Sequence, residues 1–202
     1  MVIRVLVADD QALVRGALAA LLNLEPDIEV VAEVSDGDGV LDAVREHAVD
    51  VCLLDIQMAR LDGIAATAQV RAAVPGCRVL IVTTFGRTGY LRRALEAGAS
   101  GFVVKDTPAA QLADAIRRVH QGLRVVDQQL AAESLAEGSN PLSERERQVL
   151  AMARDGVAVA VIARQVHLSP GTVRNHLSSA IGKTGAANRI EAANTAAQRG
   201  WL

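Results

Sequence analysis

Short apolar runs, each stopped by a polar residue, recur through the first half of the chain: residues 2–8, 28–34, 51–54, 79–82 and 101–104. Runs this short and this rich in Val and Ile read as strands covered on both faces, the habit of a parallel sheet. The segments between them follow a helical period instead. Leu13, Val14, Leu18, Leu21 and Leu22 mark the first helix, and Val40, Leu41 and Val44 a second from Gly37 to about His47. A third is predicted from about Asp62 to Ala73, where Pro75-Gly76 stops it, and a fourth from Tyr90 to Ala97, closed by Gly98. Thr107-Pro108 opens a fifth to about Gln121, with the proline at the first helical position. Five strands alternating with five helices predict a doubly wound five-stranded parallel sheet, an α/β domain over residues 1–121.

The pattern then changes. Residues 122–141 lack strong periodicity apart from one short helical stretch, Leu130 to Leu135, and end in the turn-rich Gly138-Ser139-Asn140-Pro141, which places a linker there. Residues 142–202 read as four helices. Ser143 and Glu146 form a Ser-x-x-Glu capping box that starts one running to about Asp155. Val157 to Ala163 alternates like a strand, yet a lone strand in so small a piece has no partner, so a helix from about Val159 to Val166 is preferred. Ser169 caps the next helix with Pro170 at its first position. Val173, Leu177 and Ile181 share one face of it, while Arg174, Asn175 and Ser178 point elsewhere. A capped helix with a buried stripe and a polar, basic outer face, following another helix and a short turn, is helix-turn-helix geometry. A last helix is predicted from about Asn188 to Arg199.

Charge sharpens the division. Residues 139–202 carry eight basic and four acidic side chains, against 13 basic and 19 acidic in the rest, so an acidic front meets a basic back suited to an anionic partner. Phe, Tyr and Trp total four residues, so the core must be aliphatic. Cys52 and Cys77 suggest no disulfide framework and fit a reducing cytoplasm. With no signal-peptide pattern and no apolar stretch near the roughly 18 residues of a membrane span, a soluble, intracellular protein is expected.

The strands deliver chemistry at one end only: Asp9 and Asp10, then Asp55, then Thr83, then Lys105. In a parallel sheet those ends share an edge, where α/β folds bind ligands. Alone, Asp55 reads more readily as a cap for the next turn. In company, three carboxylates call for a cation, and oxygen ligands of this kind suit Mg²⁺. Lys105 offers a compact charge and Thr83 a hydroxyl for phosphoryl oxygens, so the set has the parts of phosphoryl transfer to an Asp nucleophile.

Asp9-Asp10, Leu53-Leu54-Asp55, Val82-Thr83-Thr84 and Val104-Lys105 resemble the receiver domain of two-component response regulators, a flavodoxin-like fold. The resemblance implies that Asp55 accepts a phosphoryl group from a sensor histidine kinase. It also implies that Asp9, Asp10, Asp55 and the backbone carbonyl of Gln57 hold Mg²⁺, that Thr83 and Lys105 bind the phosphoryl oxygens, and that Phe102 moves with Thr83 as a switch. Phe85, where similar regulators often have a polar residue, either shields the phosphate, which predicts slow autodephosphorylation, or simply packs locally.

Leu142-Ser143-x-Arg145-Glu146, Val149-Leu150, Ile162-Ala163, Leu168-Ser169, Thr172-Val173-Arg174-x-His176 and Lys183-x-Gly185 resemble the LuxR-type (NarL/FixJ) DNA-binding domain. The resemblance implies that the helix from Ser169 to about Lys183 enters the major groove of promoter DNA, with Arg174, Asn175 and Ser178 facing bases and Thr172 and Lys183 contacting phosphates. His176 reads as packed or near the DNA backbone rather than catalytic. Ala158, Val159 and Val161 stand where the family usually has a small hydroxyl residue, an Asn and an acid, which weakens the expected phosphate contact and leaves apolar side chains to bury, against the receiver domain by expectation.

These features predict a phosphorylation-dependent transcriptional regulator that forms a homodimer when phosphorylated; the resemblance implies that dimerisation uses the first and fifth receiver helices, with the final helix pairing the DNA-binding domains. Two other functions would use similar residues. Phosphohydrolases resembling the haloacid dehalogenases place the nucleophile on the first strand with a second Asp two residues on, where Asp55 is followed instead by Gln57. A regulator indifferent to phosphate is disfavoured by the intact set Asp10, Asp55, Thr83 and Lys105.

Overall fold

The structure, a computed structural model, describes residues 2–84, 88–127, 130–132 and 140–202. They fall into two compact units: one carries the sheet, with residues 2–84 and Leu91–Ala131, and the other carries residues 88–90 with Ala132–Leu202.

In the first unit the strands are β1 (Ile3–Ala8), β2 (Ile28–Val34), β3 (Val51–Leu54), β4 (Arg78–Thr83), β5 (Gly101–Val104) and β6 (Val125–Val126). All are parallel, in the order β2-β1-β3-β4-β5-β6. The sheet thus has six strands, not five. The extra one is two residues long, too short to show a period, and falls in the stretch expected as linker; Val125 N–H donates to Ser100 O at 3.1 Å as it joins β5.

The helices are α1 (Ala12–Leu22), α2 (Val40–Glu46), α3 (Gly63–Ala73), α4 (Thr88–Glu96) and α5 (Ala109–His120). The second was expected to start at Gly37; a 3₁₀ turn over Gly37–Gly39 precedes it. Asp62 caps α3 by accepting from Ala65 N at 2.7 Å. Pro108 is the cap position of α5, not its first helical residue, so the predicted start was one residue early.

Alternation along the strands puts Ile3, Val5, Val7, Val51, Leu53, Leu80 and Val82 into one cluster with Leu22 of α1 and Leu112, Ala115, Ile116 and Val119 of α5. The alternate residues Leu6, Cys52, Leu54, Ile81 and Phe102 are buried as well, so both faces are covered, as an all-parallel sheet demands. At roughly 1.5 to 3 kcal/mol per large aliphatic side chain buried, this packing is what holds the strand ends, and their polar residues, in register.

The second unit is all helical: α6 (Glu144–Ala153), α7 (Val159–Gln165), α8 (Pro170–Thr184) and α9 (Arg189–Gln198). The capping box at Ser143 is complete, with Glu146 N donating to Ser143 Oγ and Ser143 N donating to Glu146 Oε2 at 2.6 Å. Residues 159–165 are helical despite their strand-like alternation, because Ile162 and Ala163 turn inward against α8. Val149, Leu150, Ile162, Val173, Leu177, Ala192 and Trp201 form one core. Val159, an apolar departure, packs on this core of its own unit, and Ala158 leaves α7 without a side-chain cap.

Candidate functional site

Each polar group of the sheet edge is carried there by a buried strand. The edge lies at β1 and β3, where the winding reverses direction, the place such folds leave a crevice. Backbone bonds lash the strand ends together: Asp9 N donates to Val34 O at 3.1 Å, Asp55 N to Ala8 O at 2.9 Å, and Lys105 N to Thr83 O at 2.7 Å.

Carboxylate oxygens of Asp9, Asp10 and Asp55 lie within 4.8 Å of one another. Asp9 and Asp55 are buried and Asp10 is exposed. Lys105 reaches over the end of β4 with its Nζ 2.6 Å from Asp9 Oδ2 and 3.2 Å from Asp55 Oδ2. Gln11 N–H occupies Asp9 Oδ1 at 2.9 Å, whereas Asp55 Oδ1 is buried with no hydrogen-bond partner among the described residues. Burial pushes the Asp55 carboxyl above the usual carboxylate range; Lys105 pulls it back and the charge of Asp9 pushes it up again.

One ammonium cannot balance three carboxylates, and a buried oxygen left without a donor is costly. A hard divalent cation would supply both the charge and a partner for Asp55 Oδ1, and an all-oxygen set with an exposed member open to water is consistent with Mg²⁺.

Of the remaining expected residues, Thr83 closes β4 and is buried. Phe102 is wholly buried on β5 opposite Ile81, and Gln57 is exposed just past Asp55. Phe85 lies outside the described residues. Cys52 and Cys77 are free and buried, Sγ to Sγ 3.5 Å.

In the helical unit Ser169 caps α8, accepting from Thr172 N at 3.1 Å, and the two hydroxyls lie 2.8 Å apart. Arg174, Asn175 and Ser178 are exposed along this helix, opposite its buried Val173, Leu177 and Ala180. His176 is half-buried. Lys183 is less free than its sequence suggested. Its Nζ pairs with Glu146 Oε2 at 2.7 Å, and Ser179 donates to Glu146 Oε1 at 2.6 Å. Burial alone would raise the Glu146 carboxyl, but Lys183, Ser179 and Ser143 together hold it down at about 2. The capping-box glutamate is thus also the anchor of α8, a role the Ser-x-x-Glu motif does not reveal.

A sheet edge bearing three acids, a threonine and a bridging lysine, in a chain that also carries a capped helix-turn-helix, defines the response regulator class. Comparison with known proteins agrees. The response regulator receiver domain matches residues 5–117, and the family described as bacterial regulatory proteins, luxR family, matches residues 140–196. The chain is 40% identical to the transcriptional regulatory protein DesR of Bacillus subtilis over 99% of both chains, and 36% identical to the response regulator RamR of Streptomyces coelicolor over 98% of both. It is similar in structure to the response regulator ChrA of a heme-sensing two-component system, at TM-score 0.60 and 34% identity over 100% of this chain and 99% of that one. An RcsB–DNA complex shares the fold at TM-score 0.70 and 22% identity, over 98% and 99%. The chain belongs to the response regulators that join a receiver domain to a luxR-family domain: it is a phosphorylation-dependent transcriptional regulator, not an enzyme. No helix among the described residues is long and apolar enough to cross a membrane.

Proposed function

We propose that Asp55 is the phosphoacceptor, that its donor is the phosphohistidine of a sensor histidine kinase, and that phosphorylation drives homodimerisation and binding to promoter DNA. The observation that carries this reading is the position of Lys105, whose ammonium touches both Asp9 and Asp55 while Asp55 Oδ1 has no hydrogen-bond partner among the described residues.

A carboxylate oxygen of Asp55 forms a bond to phosphorus as the bond from phosphorus to the donor's imidazole nitrogen breaks. Asp9, Asp10, Asp55 and the Gln57 carbonyl would hold Mg²⁺, which when bound neutralises the phosphoryl oxygens. Lys105 places its charge beside the new phosphoryl group, the Thr83 hydroxyl donates to one of its oxygens, and Phe102 follows Thr83 as the edge rearranges.

The receiver takes in residues 1–121 and extends through β6 at Val125–Val126, the rest of the stretch to 141 serves as linker, and residues 142–202 serve as DNA-binding domain. In the last, α8 enters the major groove, Arg174 and Asn175 hydrogen-bond base edges with Ser178, and Thr172 contacts a phosphate. Lys183 keeps two ammonium donors for phosphate beside the one given to Glu146. Dimerisation places two such helices on one site, so their affinities combine. Exposed Leu13 and Leu21 on α1 give the receiver an apolar face suited to a second copy.

Acetyl phosphate with Mg²⁺ tests the chemistry. Intact mass and peptide mapping should find one phosphoryl group on Asp55 and none on Asp55→Asn. Modification at another residue, or none on the parent, would contradict it.

A further inference from the structure

We propose that Asp36 is a positioning residue for this site: it ties down the connection from β3 to α3 and thereby sets the backbone of Gln57 beside the acids. The proposal rests on the reading of Asp55 and Gln57 given above.

Asp36 leaves the end of β2, and the order β2-β1-β3 puts the end of β1, with Asp9 and Asp10, between it and the connection it grasps. Its side chain is buried. Oδ2 accepts from Arg60 N at 3.0 Å and from Arg60 Nε at 3.1 Å, and Oδ1 accepts from Leu61 N at 3.1 Å. Arg60 Nη1 also pairs with Asp38 at 3.0 Å. Burial would raise the Asp36 carboxyl, but these donors hold it at about 2.

Packing at two glycines closes the same connection. A Cβ on Gly37 would sit 2.2 Å from Leu61 O, and one on Gly63 would sit 2.0 Å from Asp55 O. Neither position accepts a side chain without displacing backbone. Gly63 N donates to Ile56 O at 3.1 Å, so the loop is fastened where it leaves β3, where it enters α3, and at its crown by Asp36. Gln57 lies between these fastenings and makes no use of its side chain in the proposed site. Mg²⁺ demands near-ideal octahedral geometry, so a carbonyl ligand on a loosened loop binds it poorly. A fold-stabilising role alone would leave metal affinity unchanged.

The test titrates the full chain with Mg²⁺ alone, without phosphodonor, following backbone amides by NMR, for the parent, Asp36→Ala and Asp36→Asn. Asp36→Ala should weaken Mg²⁺ binding roughly tenfold, the scale of losses when a group supporting a metal ligand is removed. Asp36→Asn, which keeps one acceptor oxygen, should weaken it less. In acetyl phosphate reactions the Mg²⁺ concentration for half the maximal rate should rise in step, with the rate at saturating Mg²⁺ unchanged. A folded Asp36→Ala that binds Mg²⁺ as the parent does overturns the proposal. If that variant does not fold, parental affinity in Asp36→Asn overturns it equally. A parent that binds no Mg²⁺ overturns instead the reading of the site on which the proposal rests.

Discussion

Lys105 Nζ stands 3.2 Å from Asp55 Oδ2, so the end of β5 reaches across β4 to the end of β3. Two residues 50 positions apart are thereby joined, with Asp9 at 2.6 Å as the third member. The ammonium partly offsets the cost of burying two acids and leaves the other oxygen of Asp55 open to chemistry.

Lys105→Ala should therefore slow phosphorylation by acetyl phosphate at least tenfold, the usual scale for removing one positioned charge that acts on a transition state. Lys105→Arg should rescue little, since a planar fork does not replace a compact ammonium between two carboxylates. Initial rates of Asp55 phosphorylation, read by phosphate-affinity electrophoresis, check both.

The acid cluster makes a stability prediction of definite sign. Burial first, then the opposed effects of Lys105 and Asp9, leave the Asp55 carboxyl raised above its ordinary 3.8. The native state holds that proton more tightly than the unfolded chain. Stability from this group is therefore full below the ordinary value and is lost as pH rises from there through the raised one. At pH 7 in EDTA, Asp55→Asn should melt above the parent. Added Mg²⁺ should narrow or reverse the gap, because it stabilises the species that binds it. Calorimetric melts at both conditions decide it.

Glu146 has the opposite sign. Held at about 2 against an ordinary 4.5, it stabilises the helical unit above pH 4.5 and loses that contribution as pH falls from 4.5 toward 2. Glu146→Gln should destabilise this unit by about 1 to 3 kcal/mol, since it removes a cap and leaves Lys183 and Ser179 short of a partner. Its acid-unfolding profile should be flatter than the parent's over that window, and circular dichroism follows both.

Arg174→Ala and Lys183→Ala should separate recognition from support. The first should cost about 1 to 3 kcal/mol of discrimination at one base pair and leave the melting temperature unchanged. The second should lower the melting temperature as Glu146→Gln does, because Lys183 is paired with Glu146. Binding to mutated operator sequences, beside thermal melts, distinguishes them.

Much of the fold was legible because its signals are local. Apolar runs ending in Asp9, Asp55, Thr83 and Lys105 announce both the strands and the common edge, and Ser143 with Glu146, or Ser169 with Pro170, announce helix starts within four residues. What escaped depends on partners far along the chain. Val125–Val126 becomes a strand only because β5 offers an open edge. The grip of Asp36 on Arg60 and Leu61 spans 24 and 25 residues, and that of Glu146 on Lys183 spans 37, with nothing in the intervening pattern to pair them.

A footprint across the host genome with and without acetyl phosphate tests most directly whether phosphorylation of Asp55 controls DNA binding. The parent should protect paired half-sites at markedly lower protein concentration when the phosphodonor is present, and Asp55→Asn should show no such shift. Equal protection by the parent in both conditions, or a donor response from Asp55→Asn, would contradict the account.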